Sequence, residues 1–264
     1  MRFGEDTVKG GIGLWRLTLA LMLLCGGACQ SQTAGNTPTV LTVAAAADLT
    51  FAFREIGQRF QERTGVAVNF TFGSSGQLAQ QIEHGAPADV YASASMALAE
   101  DLVQKGMAYS DTLALYARGR IVLWTRPDSP LDLQRLEDLT HPNVRRIAIA
   151  NPDHAPYGMA ARQALQGLGL WDSLRPKLIL GENVRQTLQY AETGNVDVSI
   201  VALALAVQTQ GKWHLIPEEL HAPIDQGIVV VRGTRSETQA RLFVQYVLSA
   251  EGRAILQRYG FVTP

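Results

Sequence analysis

The sequence predicts a two-lobed α/β fold, each lobe a mostly parallel sheet flanked by helices, with a ligand cleft between the lobes. Three observations carry this. Apolar segments of strand length alternate with amphipathic helical segments from Leu41 onward. Four of the strand-to-helix turns are built from small or capping residues, two before residue 90 and two after residue 145. The chain, at 264 residues, 47% hydrophobic and 18% charged, is long enough for two modest cores.

The elements follow in order. Leu41-Thr42-Val43 enters four alanines, Ala44 to Ala47, and then Asp48. Apolar residues at Leu49, Ala52, Phe53, Ile56 and Phe60 have helical spacing, and Gly65 ends the helix. Val66 to Phe72 alternates as a strand. Gly73-Ser74-Ser75-Gly76 opens a second helix that Gly85 stops. A short strand over Val90 to Ala92 precedes a third helix from Met96 to Lys105. Further strands are expected at Ile121 to Trp124, Ile147 to Ala150, Lys177 to Leu180, Val198 to Val201 and Gly227 to Val231. Helices are expected at Gly158 to Gln166, at 184–192, and as one long C-terminal helix from Ser236 to Arg258.

The four turns are LTVAAAADLT (41–50), GSSGQLAQQIE (73–83), HAPYGMAARQAL (154–165) and ENVRQTLQYAETG (182–194). The first amides of a helix have no intrahelical partner and face the positive end of its dipole, so each turn is a seat for an anion. Ligands of open α/β sheets sit beyond the carboxyl ends of strands, where all four turns lie. The expectation is that they converge on one small oxyanion.

Composition excludes other classes. Net charge is −1, and without residues 1–30 it is near −2. That leaves no positive field for nucleic acid or an anionic membrane. The five histidines, His84, His141, His154, His214 and His221, form no i, i+4 pair, so no metal site is expected. Trp124, Trp171 and Trp213 are dispersed and read as packing. No nucleophile elbow, P-loop or GxGxxG motif is present.

Arg16, the apolar run Leu17 to Leu24 and Gly26-Gly27-Ala28 read as an export signal over residues 1–29. Cys29 stands where a lipoprotein signal is cleaved and lipidated, although Gly26 replaces the usual Leu; the alternative is simple cleavage near Ala28. Residues 30–39 read as a polar tether.

ADLTFAFREI, FTFGSSGQLAQQIEHGAPADVYASA, IAIANPDHAPYGMAARQAL, ENVRQTLQYAETGNVDVSIVALALA and the ending EGRAILQRYGF resemble the periplasmic molybdate-binding proteins of ABC uptake systems. The resemblance covers nearly all of residues 40–262. It implies a two-lobed periplasmic-binding-protein fold, with 40–118 plus 225–264 as one lobe and 119–224 as the other. It places hinges near Ala117 to Gly119 and Pro223 to Gly227. It also implies an exported, monomeric receptor that is not an enzyme and needs no cofactor. Its ligand is molybdate, or tungstate, and its partner an inner-membrane permease. The molybdenum is held as the oxyanion, through neutral donors, with no direct metal ligand. Carried over residue by residue, the seats fall on Ala47 and Asp48, on Ser74 and Ser75, on Tyr157 and on Val184. The family's frequent tyrosine donor falls on Ala202, and the Tyr157 phenol is expected to replace it. Asn183 is the natural cap before Val184, and Arg185 reads as solvated.

Asp48 stands where a serine is usual. It is expected to be an N-cap that accepts from the amides of Thr50 or Phe51 and leaves the preceding amides to the anion. Two other readings remain: Asp48 accepts a proton from a protonated oxyanion such as hydrogen phosphate or a phosphonate, or it ligates the metal of an expanded coordination sphere. The alternative functions are a receptor for phosphate, phosphonate or sulfate, an exported enzyme on the same scaffold, or a sensor.

Overall fold

A computed structural model describes residues 40–264. The export signal (1–29), the tether (30–39) and Cys29 lie outside the described residues. The first part of the chain runs β1 (Val40–Ala46), α1 (Thr50–Thr64), β2 (Ala67–Gly73), α2 (Ser75–Glu83), β3 (Val90–Ser93), α3 (Met96–Gln104) and β4 (Ala114–Gly119). The middle part runs β5 (Ile121–Thr125), β6 (Ile147–Ala150), α4 (Pro156–Gly167), α5 (Trp171–Leu174), β7 (Leu178–Gly181), α6 (Val184–Glu192), β8 (Val198–Ala202), α7 (Leu203–Ala206) and β9 (Lys212–Leu215). The chain ends with β10 (Ile224–Val230), α8 (Glu237–Leu248) and α9 (Ala250–Arg258).

Two five-stranded sheets result, in the orders β2-β1-β3-β10-β4 and β7-β6-β8-β5-β9. In the first, β1 is parallel to β2 and β3, while β10 is antiparallel to β3 and β4. In the second, β6 is parallel to β7 and β8, and β5 is antiparallel to β8 and β9. Four of the five strands in each sheet therefore run in one direction, as expected of mostly parallel sheets, and one strand in each, β10 and β5, runs against them. The cause is the connection. The chain leaves the first sheet along β4, passes Arg120, and returns to it along β10, so those two strands must run in opposite directions. The sequence reading named neither β4 nor β9.

Packing explains the first sheet's core. Strand β1 sits between two neighbours, and its alanines are buried. The apolar face of α1 puts Phe53 and Phe60 against Phe243 of α8, with ring centroids 6.0 and 5.3 Å apart at near-perpendicular angles. Gly65 closes α1 at φ 73°. The single C-terminal helix expected from Ser236 to Arg258 is two helices. Ser249 adopts extended backbone, φ −69° and ψ 166°, and its hydroxyl caps α9 by accepting from the Gly252 amide at 3.2 Å. A serine with a ready cap partner three residues on offers the chain a bend that apolar periodicity does not reveal.

Phe53 is fully buried and also meets Phe70 at 5.9 Å and Tyr116 at 6.1 Å. Phe53→Ala is expected to cost about 3–5 kcal/mol, read from the midpoint of a urea unfolding curve with unchanged slope.

Candidate functional site

All four turns end on one cavity. It is lined by Ala46, Ala47, Asp48, Gly73, Ser74, Ser75, Ala94, Ala155, Pro156, Tyr157, Asn183 and Val184, so the six residues singled out in the sequence share it. Its volume, about 10 Å3 to the centre of a water-sized sphere, is close to the least that holds one water. Among the described residues, Asp48 is the only charged side chain in its lining.

The turns differ in how they spend their donors. At α2, the Ser75 hydroxyl accepts from the Ala94 amide at 2.9 Å, which leaves its own proton free to give. The Ser75 carbonyl accepts from the Tyr91 hydroxyl at 2.7 Å, fixing the turn from behind. Ser74 is committed elsewhere: its hydroxyl donates to the His154 carbonyl at 2.6 Å, and His154 Nδ1 lies 2.8 Å from the Ser74 Oγ. The Gly76 amide donates to that carbonyl as well, at 3.0 Å. A Cβ at residue 76 would stand 2.7 Å from the His154 carbonyl oxygen, so only glycine lets α2 approach the α4 turn this closely. Ser74 and Gly76 thus clasp the first sheet's turn to the second's.

At α6, Asn183 caps the helix by accepting from the amides of Arg185 and Gln186, each at 3.0 Å. The Val184 amide has no intrahelical acceptor at that position. Arg185 turns away to Glu192, at 2.7 Å. At α4, Pro156 occupies the first turn, where its missing N–H costs nothing.

Asp48 departs from expectation. It caps no amide by its side chain. A 3₁₀ turn, Ala47–Leu49, intervenes between β1 and α1, and the Thr50 amide is already satisfied by the Ala47 carbonyl. The carboxylate instead reaches across the molecule. Its Oδ2 accepts from the Tyr157 hydroxyl at 2.8 Å and from Gln226 Nε2 at 2.8 Å. Its Oδ1 is buried without a hydrogen bond. The residue is 1% exposed. Burial pushes the carboxyl up to about 6 from an ordinary 3.8, against the pull of Gln226, Tyr157 and the amides of Asp48 and Leu49.

The Tyr157 phenol therefore does not replace the donor lacking at Ala202. Its proton goes to Asp48, and its oxygen lies 3.0 Å from Gln226 Nε2. It lodges where Gly119 has no side chain, since a Cβ there would meet the phenol oxygen at 2.1 Å. Burial first, then the Asp48 charge, drives the phenol well above its ordinary value, so it keeps its proton. Ala202 is buried at the end of β8 and is not part of the lining. Gln226 was missed by the sequence reading. It is fully buried in β10, and its Oε1 accepts from the Tyr116 hydroxyl at 2.6 Å. The available signal was a lone amide in the apolar run IDQGIVV.

The folded state holds the Asp48 proton more tightly than the unfolded chain does. Stability from this group is full below about pH 4 and is lost as pH rises towards 6, leaving a cost of about 3 kcal/mol at neutral pH. Asp48→Asn is expected to make the free protein about 1–3 kcal/mol more stable at pH 7.5, with the difference shrinking towards pH 4.5. Chemical unfolding of both proteins at the two pH values checks this, and equal stability at pH 7.5 would contradict it.

A family model for bacterial extracellular solute-binding proteins matches residues 41–262. The molybdate-binding protein ModA of Rhodobacter capsulatus is 35% identical over 225 residues, 83% of this chain and 87% of the relative. That of Escherichia coli strain K12 is 34% identical over 250 residues, 91% and 97% of the two chains. The solved structure of the Azotobacter vinelandii periplasmic molybdate-binding protein is similar with a TM-score of 0.80 at 32% identity, covering 85% of this chain and 99% of that one. On this sequence match and shared architecture, the chain belongs to the bacterial extracellular solute-binding protein family.

Proposed function

We propose that the protein captures molybdate, and also tungstate, outside the cytoplasm and delivers it to an ABC permease in the inner membrane. The observation that carries this reading is the convergence of four helix-opening turns, two from each sheet, on one cavity that has neutral donors and, among the described residues, no cation in its lining. Molybdate at neutral pH is a dianion whose four terminal oxygens only accept hydrogen bonds. Helix dipoles and uncharged donors replace its hydration shell without fixing it so tightly that release is lost. The similar proteins named for molybdate support the choice of oxyanion.

The donors in this reading are the amides of Ala47 and Asp48, the Ser75 hydroxyl, and the amides of Tyr157 and Val184. Ser74 works mainly as the clasp. Closure of the two lobes, 40–118 plus 225–264 against 119–224, encloses the anion and forms the surface that the permease recognises. The process is binding and release by a monomer, with no bond of the ligand made or broken and no cofactor. Cavity size separates molybdate from sulfate. Export by residues 1–29, with or without lipidation at Cys29, places the receptor. The bare Oδ1 of Asp48 favours a second reading, a protonated oxyanion such as hydrogen phosphate, whose O–H would donate to it.

Thermal unfolding of the mature chain with molybdate, tungstate, sulfate or phosphate tests the proposal. Molybdate and tungstate at 1,000 times their dissociation constants are expected to add about 4 kcal/mol, on the order of 10 °C for this size. A shift with phosphate instead would transfer the protein to the second reading. Ser75→Ala is expected to weaken molybdate binding about 10- to 100-fold, the loss of one hydrogen bond to a charged group, read by titration calorimetry. Ser74→Ala is expected to lose less, because its hydroxyl spends its proton on His154.

A further inference from the structure

The network around Asp48 has a fixed direction. Tyr116 donates to Gln226 Oε1, Gln226 Nε2 donates to Asp48 Oδ2, and Tyr157 donates to the same Oδ2. Oδ2 is saturated by donors and has no room for a proton of its own. Oδ1 is the opposite: buried, without a hydrogen bond, on a residue that lines the cavity. A proton on Asp48 therefore belongs on Oδ1, where it becomes one more donor for an anion bound there. We propose that capture of a fully ionised oxyanion takes up one proton from solvent onto Asp48 Oδ1, and that this O–H donates to a ligand oxygen in the closed, loaded state.

The step makes one O–H bond at Oδ1 and breaks none in the ligand. It turns an acceptor facing a dianion into a donor, and removes one of three negative charges from the enclosed site. Burial brings the carboxyl to about 6, so protonation costs about tenfold at pH 7 and a hundredfold at pH 8. A dianion within hydrogen-bond range pushes the proton affinity up further. The groups that face Asp48 offer no competing source of charge. They are the amides of Asp48 and Leu49, the phenol of Tyr157, the Gln226 amide and, through it, the phenol of Tyr116; α6, whose Arg185 is paired with Glu192, and α7, which carries no charge, pack against this turn. On the α2 side of the cavity the titratable side chain is His154, whose Nδ1 lies 2.8 Å from the Ser74 hydroxyl.

The inference rests on the oxyanion reading above and deepens it, and the experiment separates the two. Molybdate titration calorimetry from pH 5.5 to 8.5, in buffers of different ionisation enthalpy, reads both affinity and protons taken up. For the native chain the expected result is proton uptake approaching one at high pH and an affinity that falls about tenfold per pH unit, about a hundredfold from pH 6.5 to 8.5. Asp48→Asn, whose amide presents a permanent donor, is expected to flatten the curve and to bind more tightly than the native chain at pH 8.5. Asp48→Ser supplies a second neutral donor if the asparagine variant folds poorly. His154→Gln is expected to keep the native slope. Molybdate binding with no proton uptake and no pH dependence would overturn the proposal and leave the molybdate reading standing, as would a slope that survives Asp48→Asn and vanishes with His154→Gln. Binding of phosphate but not molybdate, again without uptake, would overturn both, because hydrogen phosphate brings the proton itself.

Discussion

A buried carboxylate held from two directions organises this molecule. Asp48 belongs to the turn after β1, Tyr157 to the start of α4 in the other half of the fold, and Gln226 to the strand by which the chain returns. Satisfying Oδ2 requires all three to meet. That requirement accounts for features that otherwise look unrelated. Gly119 is bare so that the phenol can reach the carboxylate. Tyr116 is buried so that its hydroxyl can orient the Gln226 amide. The returning strand β10, antiparallel to β3 and β4, carries Gln226 into the first sheet beside this turn.

Around this anchor the cavity is left to neutral groups. The neighbouring serines show how the roles divide. A hydroxyl has one proton, so accepting from a backbone amide leaves it able to donate, while donating to a carbonyl does not. Ser75 is in the first state and Ser74 in the second. One serves the cavity and the other joins the halves, although sequence places them side by side with the same capping chemistry.

That distinction marks how far sequence reasoning reached. The turns were legible because their signals are local: strand periodicity, small residues, then Asn183 before Val184 or Gly-Ser-Ser-Gly before an amphipathic run. The common cavity was legible through the rule that sites lie beyond strand ends. What failed was decided at long range. Asp48 reads as a cap by every local criterion, yet its partners are 109 and 178 residues away. Tyr157 reads as a free phenol for the same reason. Gln226 could be noticed as a buried amide but not assigned, since its use depends on which strand β10 joins. The broken C-terminal helix is the local counterpart: Ser249 competes with continued helix through a hydroxyl that periodicity does not weigh.

Magnitudes decide between the charge states of Asp48. Two unit charges 4 Å apart at an effective dielectric near 20 repel by about 4 kcal/mol, so an ionised Asp48 opposes an enclosed dianion by about 8 kcal/mol. Protonating a carboxyl poised near 6 costs about 1.4 kcal/mol at pH 7. Relaxation and residual water reduce the first figure, but a threefold reduction still leaves it the larger. Burial meanwhile carries the cost of a desolvated carboxylate with one oxygen that makes no hydrogen bond. A loaded site relieves that cost when Oδ1 takes a proton and meets an acceptor. The burial that destabilises the free receptor at neutral pH is thus the same burial that suits it to an oxyanion, and the network through Tyr157 and Gln226 leaves Oδ1 as the oxygen that can take the proton.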